Sequence, residues 1–126
     1  MAKLMIQIFN HGSWHDAAEL TFASPKSGRQ GSAILGYEGN YAIEWMYRDD
    51  EFSCSLNLPV ELAYTYSSNH WFSFLDDIMP AGASRRYWVN QLGLQSMPAS
   101  EQDYILLKTG TIAPVGNMRI KEALPE

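Results

Sequence analysis

The stretch Trp71-Phe72-Ser73-Phe74-Leu75-Asp76-Asp77-Ile78-Met79-Pro80-Ala81-Gly82-Ala83-Ser84-Arg85-Arg86 divides the chain into two kinds of sequence. Before it, apolar residues mostly alternate between turn signals, as in a sheet; after it, their spacing is helical. Within it, Trp71, Phe74, Leu75 and Ile78 fall at i, i+3, i+4 and i+7. That apolar stripe predicts a helix with Ser68 as its N-cap. Pro80 and Gly82 break this helix, and Arg85-Arg86 opens a second one. A stripe of this kind ordinarily packs into a core. Its adjacent aromatics and double arginine also suit a contact surface, where aromatics and Arg are enriched.

Upstream, Lys3 to Phe9 alternates as a strand, with Leu4, Ile6 and Ile8 on one face. Asn10-His11-Gly12-Ser13 is a turn, and Trp14 to Ala23 supplies the partner strand of a hairpin, weakened by Ala17-Ala18-Glu19. Ser24 to Gly31, with Pro25, Gly28 and Gly31 among polar residues, predicts a surface loop. Ser32 to Tyr37 is a third strand, and Gly39-Asn40 a turn. Tyr41 to Tyr47 suits either a short helix or a strand. Arg48 to Glu51 is a solvated turn. Phe52 to Val60 reads as a strand with Phe52, Cys54, Leu56 and Leu58 on its buried face, ended by Pro59. Tyr64 to Asn69 leads into the central helix.

Downstream, a helix over Ala83 to Leu92 ends at Gly93 and carries Arg85, Trp88, Val89 and Leu92 along one side. Ser100-Glu101-Gln102-Asp103 resembles a capping box for a short helix over Tyr104 to Lys108, closed by Gly110. Gly116 to Ile120 forms a last short strand, and the polar tail from Lys121 to Glu126 frays. The expected fold is therefore α+β, a single domain over residues 1–126. A small antiparallel sheet comes from the N-terminal half, and two or three helices from the C-terminal half pack on it.

With 46% hydrophobic residues, the chain is globular rather than disordered. Its net charge of −5 and scattered bases argue against direct nucleic-acid binding. The single cysteine, Cys54, has no disulfide partner and reads as a small core residue in a reducing compartment. The N-terminus is too short and too alternating for a signal peptide, and no apolar run reaches the length of a membrane span. A cytoplasmic location follows as the expectation.

Catalytic signatures are sparse. His11 and His15 straddle a turn without a third ligand nearby, which disfavours a metal. A Cys54–His70 nucleophile pair would make a small hydrolase, but buried strand thiols are usually inert. Asp76 and Asp77 are neighbours on a helix and point about 100° apart, so they do not converge on a substrate. The glycines of Thr109 to Gly116 surround Pro114, which lacks the backbone donor that a phosphate nest needs. Kinase signatures are absent from the sequence. A non-catalytic binding module without cofactors is the expected class.

Three spans carry a resemblance: Phe74 to Arg86, Asp103-Tyr104-Ile105-Leu106-Leu107, and Ala113-Pro114-Val115-Gly116-Asn117-Met118-Arg119-Ile120. Together they resemble the N-terminal subdomain of HipA-type toxin kinases, and the order of elements over most of the chain fits the same layout. The kinase chemistry of that family lies in later domains. The resemblance implies one of two roles. In tripartite HipBST systems the subdomain is a separate small protein, HipS, an antitoxin partner of the shortened kinase HipT; a chain starting at Met1 and ending just past the last motif fits that arrangement. In longer HipA-like kinases it packs on the kinase core and contributes to contacts with the DNA-binding antitoxin HipB. For the first role the expected mechanism is steric: the module docks where the missing subdomain would sit and holds the kinase inactive. A HipB-like protein could then complete a ternary complex. Trp71, Phe72, Met79, Arg85, Arg86 and Trp88 are the candidate contacts, being large anchors with flanking arginines. The competing reading of Trp71 and Trp88 is core packing.

Overall fold

A computed structural model describes residues 2–55, 57–111 and 116–124. It is α+β, with a five-stranded antiparallel sheet in the order β4-β3-β2-β1-β5. β1 (Ala2–Asn10) and β2 (Ser13–Phe22) form the opening hairpin. Its turn places His11 at φ 47° and Gly12 at φ 81°, the left-handed pair that a tight hairpin needs to match strand twist. Ile6 pairs with Ala18 but Gln7 pairs with Asp16, so Ala17 is a bulge. This explains the weak pattern at Ala17-Ala18-Glu19: both alanines are fully buried, because two consecutive residues turn inward there. The bulge also frees the Ala17 carbonyl to accept a bond from the Glu38 amide at 2.7 Å.

That bond fixes the start of α1 (Gly39–Trp45), which follows β3 (Ala33–Tyr37). The Glu38 side chain caps the helix by accepting from the Tyr41 amide at 3.1 Å. The open choice over Tyr41 to Tyr47 thus resolves as helix, starting within the expected Gly39-Asn40 turn. Tyr41, Ala42 and Trp45 bury its inner side.

Residues 52–60 are not the strand the alternation predicts. Only an isolated bridge joins Ser55 and Leu58, and Leu56 lies outside the described residues. The edge of β3 is taken instead by β4 (Thr65–Ser68), read from sequence as a lead-in to a helix. Val60 pairs with Tyr47 and Arg48, and three other carbonyls of the segment are taken by tyrosines. Tyr41 Oη donates to the Phe52 carbonyl, Tyr37 Oη donates to that of Leu58, and Tyr66 Oη donates to that of Pro59. Tyr37 Oη also accepts from the Cys54 amide at 2.9 Å. Buried backbone groups need partners, and side chains supply them where a ladder cannot.

The central helix is shorter than its stripe. α2 spans Phe74–Ile78, and Ser73 rather than Ser68 occupies the N-cap position. Ser68 belongs to β4, where its hydroxyl accepts from the His70 amide. Trp71 lies outside the helix; its amide donates to the Arg29 carbonyl and its ring packs 5.4 Å from that of Phe22. The stripe nevertheless serves the core, as Trp71, Phe74, Leu75 and Ile78 are all buried. α3 (Gly82–Gln91) and α4 (Ala99–Thr109) follow, then β5 (Met118–Ile120), which pairs with β1 over Ile6 to Ile8. The tail does not fray at Lys121: a 3-10 turn over Lys121–Ala123 buries Ala123, and Glu122 accepts from the Met5 amide. Residues 112–115, which include Pro114, lie outside the described residues, as do 125–126.

The inner face of the sheet joins the helices in one buried apolar cluster that includes Leu4, Ile6, Leu20, Phe22, Leu35, Leu75, Leu106 and Leu107. The outer face carries a polar lattice, as suits the solvated side of an antiparallel sheet. Gln7 donates to Asp16 and accepts from Arg119, Lys121 bonds Asp16, and the Arg119 guanidinium covers the Trp14 ring at 4.1 Å. The Gln7 bond, with Lys121, holds the Asp16 carboxyl below its ordinary pKa. Among the described residues, no helix is long and apolar enough to cross a membrane.

Candidate functional site

The expected surface loop of residues 24–31 is a 3-10 segment, Pro25–Gln30, packed against α4. Gly28 makes this approach possible. It sits at φ 57°, and a Cβ there would press on the Ser100 carbonyl and come within 2.5 Å of Asp103 Oδ2. The contact brings Asp103, 6% exposed, to the centre of a polar lock. Its carboxylate accepts from the Arg29 amide at 3.2 Å and from Arg85 Nη1 at 3.0 Å. Arg85 also donates to the Ala99 carbonyl and Gln102 Oε1, and Arg29 Nε pairs with Asp76 at 2.9 Å. This geometry overturns the capping box: α4 starts after Pro98 without a side-chain cap, and the supposed capping carboxylate faces inward to two arginines. Asp103 and Arg85 come from two of the spans that carry the family resemblance.

The six candidate contacts separate into two groups. Trp71, Phe72 and Met79 are buried in the core, which removes them from a surface that a partner could touch without unfolding. Arg85 is largely committed to the lock. Arg86 and Trp88 remain on the surface of α3, exposed and half-buried respectively. Arg85 and Arg86 share a cleft of about 450 Å³ with Gly82, Val89, Asn90 and Gln102.

α3 itself is unusual. None of its ten residues is fully buried. Arg85, Trp88 and Val89, at i, i+3 and i+4, turn towards the fold but are only half covered, while Arg86 and Tyr87 project outward. Tyr87 is 56% exposed and meets the Trp88 ring edge-on at 5.3 Å. Sequence reasoning overlooked Tyr87 because it lies off the apolar side of the helix; its position between Arg86 and Trp88 was the available signal.

The catalytic alternative meets a chemical obstacle. Burial pushes the Cys54 thiol up to about 12, so it stays protonated at neutral pH. His70, exposed, bonds the Trp71 carbonyl through Nδ1. His11 and His15 pack against Trp45, and His15 Nε2 bonds the Asn10 carbonyl. Among the described residues, no group of three or more His, Cys, Asp or Glu is placed to hold a metal ion. Asp76 and Asp77 are both exposed, and Asp76 is engaged by Arg29. Comparison with protein-family models, curated proteins and solved structures returned no match.

Proposed function

We propose that this protein is a non-catalytic, cytoplasmic binding module of a toxin-antitoxin system. In this reading it is a HipS-like antitoxin that docks on and neutralises a HipA/HipT-like serine/threonine kinase. The observation that carries docking is α3, a helix that leaves every side chain at least partly open to solvent and carries Arg86, Tyr87 and Trp88 on its surface. A ten-residue helix normally draws its stability from burying one face. α3 is held by the Arg85–Asp103 lock and by Trp88 and Val89 packing on the core, so the outward side with Arg86 and Tyr87 is available to a partner, and Tyr, Trp and Arg are the usual binding anchors. The kinase identity of that partner rests on the family resemblance.

The test is calorimetric titration into a purified HipA-like kinase lacking its N-terminal subdomain, with kinase activity assayed on the same samples. Tight binding with loss of activity is the expected result. Tight binding with activity kept or gained would favour the alternative, the N-terminal subdomain of a longer HipA-like kinase that contributes to kinase packing and HipB contacts. Absence of binding at high micromolar concentration would refute docking on such a kinase. Arg86→Glu and Tyr87→Ala should each weaken binding by about tenfold, roughly 1.4 kcal/mol, without lowering the thermal midpoint.

A further inference from the structure

The net charge of −5 is not spread over the molecule. Between residues 38 and 61 stand Glu38, Glu44, Asp49, Asp50, Glu51 and Glu61 against one base, Arg48. Six acids against one base account for the whole excess, since the rest of the chain carries eight acids and eight bases. Arg48 is itself paired with Asp50 at 2.7 Å. The concentration of one sign creates a local negative field.

The same segment exposes large apolar side chains. Ile43 on α1 is 64% exposed and Tyr47, just past its end, 72%; Met46 and Leu62 are also open. The Tyr47 amide donates to the Val60 carbonyl at 2.6 Å, which brings the chain leading to Leu62 beside the end of α1. Asn40, Ile43 and Glu44 follow the i, i+3, i+4 spacing of one helix face, and Tyr47 follows just beyond the helix end at φ 70°. Apolar Ile43 and acidic Glu44 therefore lie side by side on the outward side of α1, with exposed Tyr47 just past its end. On its other flank is a cleft of about 420 Å³, edged by Asp16, Glu38 and Glu44 and lined by Trp14, Tyr41 and Trp45. Behind it, buried Asn10 donates to Tyr41 Oη at 3.1 Å and its carbonyl meets His15 Nε2, while its side-chain oxygen has no hydrogen-bond partner among the described residues.

We propose that α1 and this cleft form a docking surface, separate from α3, for a basic amphipathic segment of a partner protein. The apolar side of that segment covers Ile43 and Tyr47, and one of its Arg or Lys side chains enters the cleft. Asp16 is already paired with Lys121 and the Trp14 ring is covered by Arg119, so Glu38 and Glu44 at the rim neutralise the cation, and the Tyr41 and Trp45 rings favour a weakly hydrated guanidinium. Charge complementarity selects this occupant. A second copy of the chain would oppose two faces of the same sign, and an acidic segment would meet the same repulsion. The proposal does not depend on the kinase reading.

The probe is a fluorescently labelled helical peptide of Leu and Lys, compared with a Leu/Glu peptide of equal length and pattern. Binding is followed by anisotropy and mapped by amide chemical shifts. Selective binding of the Leu/Lys peptide is expected, with shifts centred on residues 14–16 and 38–47. Glu44→Lys and Ile43→Ser change exposed positions and should each weaken binding about tenfold. Asp77→Lys makes the same change in net charge on α2 and should leave affinity within about twofold by the same measure. Equal losses for Asp77→Lys and Glu44→Lys would reduce the effect to overall charge and overturn the proposal. So would equal affinity for the Leu/Glu peptide, shifts centred outside α1, or no binding at all. Because no kinase is present, failure here leaves docking through α3 untouched, and failure of the kinase titration leaves this surface untouched.

Discussion

Replacing Asp103 by Ala would remove the centre of the lock that joins the 3-10 segment, α3 and α4. Its side chain is 8% exposed, and its carboxylate accepts from the Arg29 amide at 3.2 Å and from Arg85 Nη1 at 3.0 Å. Breaking a fully buried ion pair costs about 3–5 kcal/mol, because the remaining charge stays desolvated. Here the side chains of Arg85 and Arg29 are 20% and 41% exposed, so water can partly solvate both after truncation. The expected cost is therefore lower, about 2–3 kcal/mol, close to one charge-assisted bond plus one orphaned amide. For a domain of this size that corresponds to a fall of roughly 10 °C in thermal midpoint. Asp103→Asn keeps an acceptor for the Arg29 amide and should cost about half as much. Asp76→Ala breaks a pair between side chains 41% and 58% exposed and should cost less than about 1 kcal/mol. Thermal and urea unfolding followed by circular dichroism would measure all three. The reasoning fails if Asp103→Ala costs no more than Asp76→Ala. It fails equally if an Arg85→Ala/Asp103→Ala double-mutant cycle gives a coupling below about 0.5 kcal/mol.

Other consequences can be checked on the isolated protein. Gly28→Ala should destabilise by more than about 2 kcal/mol, since it adds a backbone clash with Ser100 to left-handed strain, whereas Gly12→Ala at φ 81° in open space should cost only about 1 kcal/mol in urea unfolding. Tyr37→Phe removes the hydroxyl shared by Leu58 and Cys54; a loss of about 2 kcal/mol and faster amide exchange at Cys54 are expected. The Cys54 thiol should resist alkylation near pH 8 in the native state and react readily in denaturant, and equal rates in both would contradict its burial. Burial raises the folded-state pKa of Cys54, Tyr37 and Tyr41, so the unfolded chain releases these protons first. Their contribution to stability is complete below about pH 9 and declines as pH rises towards 12, by proton linkage. Cys54→Ala should flatten part of that decline in unfolding measured across pH.

The site was only partly legible from residue order. Arg85, Arg86 and Trp88 stood out as large anchors, and the structure places all three on α3. Trp71, Phe72 and Met79 carried the same signal of size and apolarity yet fill the core. Composition does not separate the two cases, because the surface that covers a tryptophan comes from elsewhere in the chain. Trp71 is packed by Phe22, from a strand some fifty positions earlier. The acidic excess of residues 38–61 could be counted in the sequence, but its coincidence with exposed apolar side chains required knowing which side of α1 faces the core.

By itself the sequence determined what depends on near neighbours. The alternation of Leu4, Ile6 and Ile8, the His11-Gly12 turn, the third strand and a helix between Gly82 and Gly93 all follow from local periodicity and backbone preference. Tertiary structure decided the competitions between segments. Residues 52–60 alternate well enough for a strand, but β4 holds the edge of β3, and tyrosines satisfy the Phe52, Leu58 and Pro59 carbonyls instead. Residues 24–31 have the composition of a surface loop, yet Gly28 lets them close on α4. Asp103 has the spacing of a helix cap, yet it bonds the amide of Arg29, 74 residues away. A hydrogen-bond partner at that separation leaves no mark on local spacing, so only the folded chain reveals which role a polar residue takes.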